Sequence, residues 1–104
     1  MAVTLVVQVR NQDHEVVRTW QELPGEPFLR FCRKAESLGV RYVDFIWPYA
    51  DAMLNFFQLA SWLDDFPRVL AGGTFAEDEA VSARLVLEGA REAEALDGYL
   101  FFHG

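Results

Sequence analysis

One cysteine, two histidines and no long apolar run limit what this 104-residue chain can do. Cys32 alone allows no intrachain disulfide, so nothing points to an oxidising compartment, and the expected location is the cytoplasm. Residues 1–10 carry no basic segment ahead of a long apolar stretch, so neither a signal peptide nor a membrane span is expected. A metal site needs several ligands converging at about 2 Å. His14 falls in a turn and His103 at the end of the chain, so no metal and no cofactor is expected. Gly25, Gly72 and Gly73 do not have phosphate-loop spacing, which argues against nucleotides. Cys32 lies on an apolar helical stripe with no histidine near it in sequence, so it reads as core rather than nucleophile.

Apolar residues make up 52% and aromatics 14%, enough for one hydrophobic core in a single domain covering residues 1–104. The formal charge is −7, unevenly spread. Residues 1–50 hold six acids against six Lys/Arg, residues 51–76 three against one, and residues 77–104 seven against two. Such a surface repels phosphate backbones and attracts basic proteins, so nucleic acid is not an expected partner.

Alternation of Val3, Leu5, Val7 and Val9 with Thr4, Val6, Gln8 and Arg10 predicts a half-buried strand, and Asn11–His14 a turn into a second strand over 15–20. Pro27, then Phe28, Phe31, Cys32, Ala35 and Leu38, predict an amphipathic helix closed by Gly39. Residues 40–47 are rich in β-branched and aromatic side chains and predict a third strand stopping at Pro48. Asp51 is the expected N-cap of a second helix over 52–70, with an end or kink at Phe66-Pro67 and fraying near Asp64-Asp65. Thr74 and Glu77 match a capping box opening a third helix. On that helix Gly89 and Ala93 would let another helix approach, while Glu77, Arg84, Glu88, Arg91 and Glu94 would form a solvated outer face with i,i+4 and i,i+3 opposite-charge pairs, and Gly98 would cap it. Residues 99–104 are too aromatic for a solvated tail and predict a last strand.

The order β-β-α-β-α-α-β predicts an α+β fold, a three- to four-stranded, mainly antiparallel sheet with helices packed on one face. On the second helix Asp51, Asn55, Gln58, Trp62 and Asp65 share a polar stripe, and Trp62 has the make-up of an interface anchor. Asp44 and Tyr49 would join them at the strand-to-helix junction, and an inward Asp44 would have the raised pKa that acid–base work needs.

Pro48-Tyr49, Asp51, Asn55 and Gln58, with the ending Tyr99-Leu100-Phe101-Phe102-His103-Gly104, resemble a pattern in short, mostly uncharacterised bacterial proteins. The similarity covers residues 42–104 and departs at Trp47, Ala50 and Ala52, where the pattern has Asp, Gly and Thr. It implies a fold unit rather than an activity.

The expected function is non-enzymatic: an acidic protein-interaction domain binding a basic partner, with an immunity or inhibitor protein for a basic toxin as its specific form. The alternatives are a small-ligand binder or enzyme using the junction carboxylates, and a homodimer whose aromatics seal a subunit interface.

Overall fold

The computed structural model describes residues 4–46 and 51–103, and among these the chain forms four strands and three α-helices. Strand β1 spans Thr4–Arg10 and β2 Val16–Pro24. Asn11 Oδ1 shapes the loop between them, accepting from the backbone N–H groups of Asp13 and Glu15 at 3.0 Å each. Strand β2 extends beyond the expected 15–20 and ends at Pro24. It is an edge strand, and an edge tolerates proline where a central strand does not.

Helix α1 spans Gly25–Ser37 and buries Phe28, Phe31, Cys32 and Ala35 at the predicted spacing. Helix α2 spans Phe56–Gly72, α3 Glu77–Ala95, and the last strand Tyr99–His103. A short strand, β3, covers Ala52–Leu54, so the last strand is β4. The sheet is antiparallel throughout, in the order β2-β1-β4-β3. Opposed pairs Val7/Phe102 and Val9/Leu100 bury their side chains on one face, against the helices. On the other face the Arg10 guanidinium lies 4.2 Å over the Phe101 ring, and its Nε donates to Gln8 Oε1 at 3.0 Å. This is the α+β architecture that the patterning predicts.

The third strand lies elsewhere than expected. Residues 40–46 hold no strand; Val43–Phe45 form a single 3-10 turn. Tyr42 enters the left-handed region at φ 67°, which ends extended pairing there. Val43 and Ile46 still reach the core, but as plugs from a turn. Trp47 and Tyr49 lie outside the described residues. Pairing instead falls to Ala52–Leu54, where Leu54 is buried opposite Leu100.

Helix α2 is capped by Asn55, not Asp51. Asn55 Oδ1 accepts from Gln58 N at 3.0 Å, and Gln58 Oε1 accepts from Asn55 N at 2.9 Å, a complete capping box. The helix neither ends nor frays at Asp64–Pro67; it continues to Gly72, giving up only the bond that Pro67 cannot donate. Buried Leu59, Trp62, Phe66 and Val69 hold it against the core, outweighing local preference.

Helix α3 starts two residues later than its expected capping box. Glu79 accepts from the Ala76 N–H at 2.8 Å, and the alanine has no side-chain oxygen to return the bond. Buried Glu79 also takes Arg30 Nε at 3.0 Å and Lys34 Nζ at 2.7 Å, tying α1 to the start of α3. Gly89 receives the sheet rather than another helix: a Cβ there would lie 2.9 Å from the Trp20 ring.

Candidate functional site

The predicted polar stripe on α2 does not form one surface. Trp62 is fully buried (0% exposed). Its ring stacks on Phe66 with centroids 4.8 Å apart, and its Nε1 donates to the Arg41 carbonyl at 2.8 Å. A side chain so placed is no surface anchor, because its apolar body and its single donor are both used inside the chain. Asn55 and Gln58 satisfy each other in the cap. Asp65 accepts from Arg68 one turn on. Asp51 is exposed, with Oδ1 3.8 Å from His103 Nδ1. The five residues thus divide among core, cap and surface.

What Trp62 does is position the neighbouring turn. By holding the Arg41 carbonyl it fixes the chain just before Tyr42, where the left-handed residue reverses direction. The 3-10 turn then sends Val43 and Ile46 inward and Asp44 and Phe45 outward. Between this turn and α1 lies a depression of about 190 Å³. Leu29, Cys32, Val43 and Ile46 line it with apolar surface, and Arg33, Glu36 and Asp44 supply its charges.

Of the junction residues read from the sequence, the structure therefore brings Asp44 to a cleft, and Tyr49 lies outside the described residues. Asp44 is exposed, so the buried acid that acid–base work would use is not there. Phe45 beside it is 47% exposed, with its ring centroid 5.8 Å from that of Tyr42. Sequence reasoning missed Leu29, Arg33 and Glu36. Their four- and three-residue spacing on α1 was a usable signal, but only the position of the 3-10 turn shows which flank of the helix is cleft-lining.

Cys32 presents little chemistry despite lining the floor. Burial pushes its thiol well above the ordinary range, with the nearby Glu36 charge acting in the same direction, so it stays protonated and unreactive at neutral pH. Glu79 is the opposite case. Its bond from Lys34, then the Ala76 N–H and the Arg30 guanidinium, hold its pKa down to about 2, against the penalty of burial. It is 2% exposed and fully committed to joining α1 and α3, so its role is structural. Among the described residues, no group of three or more His, Cys, Asp or Glu is placed to hold a metal ion, and no helix is long and apolar enough to cross a membrane.

The depression can receive a long basic side chain. Leu29, Val43 and Ile46 would cover an aliphatic stem, and Asp44 and Glu36 would take the cationic head. Arg33 offsets one of the two carboxylates, leaving a rim charge of −1. No protein-family model, curated protein or solved structure matches the chain.

Proposed function

We propose that this protein is a non-enzymatic, acidic protein-interaction domain that captures a basic partner, in the manner of an immunity or inhibitor protein for a basic toxin. The observation that carries the reading is the depression between α1 and the 3-10 turn. Its apolar floor lies beside Asp44 and Glu36, and the exposed Phe45 ring stands next to it. An arginine or lysine of a partner would fill it, with Phe45 as an aromatic anchor outside the pocket. The net charge of −7 steers a basic protein towards the surface and raises its on-rate at low salt. Cytoplasmic location is part of the same reading, since the only cysteine is a buried thiol.

The test is affinity capture with the purified chain at low and high salt, followed by titration of any captured protein against Asp44→Lys, Glu36→Lys and Phe45→Ala variants. All three side chains are exposed, so the variants should fold. The reading expects capture of a basic protein whose binding weakens with salt and falls about tenfold or more in each variant. A partner whose binding ignores salt and all three changes would sink it.

A further inference from the structure

Helix α2 carries a second apolar stripe that its own chain does not cover. Leu59, Trp62, Phe66 and Val69 are buried, whereas Phe56, Ala60, Pro67 and Ala71 are exposed on another side, with Leu63 and Leu70 half-buried between the two. Phe57 is the extreme case, 74% exposed and stacked on Phe56 with centroids 4.2 Å apart. At its C-terminal half this stripe runs into a groove of about 660 Å³ between α2 and α3. Pro67, Leu70, Ala71 and Leu87 line the groove, and Arg84, Glu88 and Arg91 stand along it on α3, the arginines two turns apart, so that it carries one more positive than negative charge.

The arginines make no ion pair with the carboxylate between them. Glu88 sits at helical spacing from both and lines the same groove, but it accepts from Arg18 Nη1 at 3.2 Å, and Glu92 accepts from the same nitrogen at 3.0 Å. The pairing along α3 that its sequence predicts is thus replaced by pairing to β2. Among the described residues neither Arg84 nor Arg91 makes an ion pair, and neither does the exposed Asp64 on α2.

An occupant of the groove should therefore bring apolar side chains and a carboxylate. Helix α2 itself has that chemistry: Phe56 and Phe57, then Asp64 two turns beyond Phe57 on the same side. Phe56 and Leu70 are each seven residues from Leu63. Two α2 helices packed antiparallel about a two-fold axis at Leu63 would set Phe56 and Phe57 of each copy at the level of the other's groove. We infer that the protein forms a two-fold homodimer in which the outer stripe of α2 fills the α2–α3 groove of a second copy, with Asp64 of each copy facing Arg91 of the other. Each patch meets its own equivalent, as a closed two-fold interface requires. The face is separate from the α1 depression, so the dimer and the proposed partner site are independent.

Analytical ultracentrifugation of the full chain over a wide concentration range tests this, with far-UV circular dichroism as the check on folding. The expected result is a monomer–dimer equilibrium. Phe57→Asp, Asp64→Arg and Arg91→Glu should each raise the dissociation constant at least tenfold, and the Asp64→Arg/Arg91→Glu double variant should recover most of the loss. A folded monomer at every concentration would overturn the inference. So would a dimer unmoved by the single changes, or charge reversals that add in the double variant instead of cancelling.

Discussion

Two clefts among the described residues, each beside a helix, carry opposite signs. The depression by α1 leaves the carboxylates of Glu36 and Asp44 at its rim, and the groove by α3 leaves the guanidinium groups of Arg84 and Arg91. In a chain with 16 acids and nine Lys/Arg the first is expected and the second is not. The difference traces in part to Arg18 on β2, which pairs with Glu88 and Glu92 and so occupies the carboxylate that Arg84 and Arg91 share at helical spacing. Local charge can therefore oppose net charge wherever a tertiary contact recruits one member of a helical pair.

The largest expected effect is on the latch behind the acidic cleft. Trp62→Ala should lower unfolding free energy by about 3–5 kcal/mol, from loss of a fully buried indole, with an added penalty for the freed Arg41 carbonyl. Denaturant unfolding measures it. A cost below about 1 kcal/mol would mean that Trp62 is not the anchor of the 3-10 turn.

Next comes the tie between α1 and α3. Glu79→Ala should cost about 1–2 kcal/mol, since it removes the cap on the Ala76 N–H and a buried acceptor. The pH dependence follows from the same group. Glu79 titrates near 2 in the fold against an ordinary value of 4.5. Its contribution is therefore complete above the unfolded value and lost as pH falls from about 4.5 towards 2. Wild type should lose stability across that window more steeply than Glu79→Gln, in thermal melts taken at successive pH values.

Smaller still is Arg18→Ala. It should barely move the melting temperature, because the pairs it breaks are exposed. Yet it should weaken self-association severalfold, since Glu88 would be free to pair with Arg84 or Arg91 and compete with the partner's carboxylate. Unchanged association in that variant would separate the groove's charge from Arg18. The smallest change expected is in Cys32, whose thiol should react with an alkylating reagent far more slowly in the folded protein than in denaturant.

Much of this fold was legible in the residues, and the exceptions share a cause. Strand β1, the apolar stripe of α1 and the aromatic strand β4 follow from period and composition, which the core enforces through burial of Val7, Phe28, Phe31 and Phe102. The segment 40–46 has strand composition but takes a turn, because Tyr42 is left-handed and the Arg41 carbonyl is held from α2, 21 residues away. No local pattern reports such a bond. Asn55 and Gln58 are different: Asn-x-x-Gln before an apolar run is itself a cap signature, present in the sequence but read as a binding stripe. Trp62 looked amphipathic on the helix because its polar neighbours lie on the same side, and only the packing of Phe66 and Phe102 around it shows that side to be interior.

The opposition between the two clefts can be measured in one titration. A short arginine-containing peptide added to isotopically labelled protein at low salt, followed by two-dimensional NMR, should shift amides around Leu29, Arg33, Asp44 and Ile46 and leave those of Leu70, Leu87 and Arg91 in place. Asp44→Lys should abolish the shifts. Perturbations centred on the α2–α3 groove, or spread evenly over every exposed acid, would contradict the account.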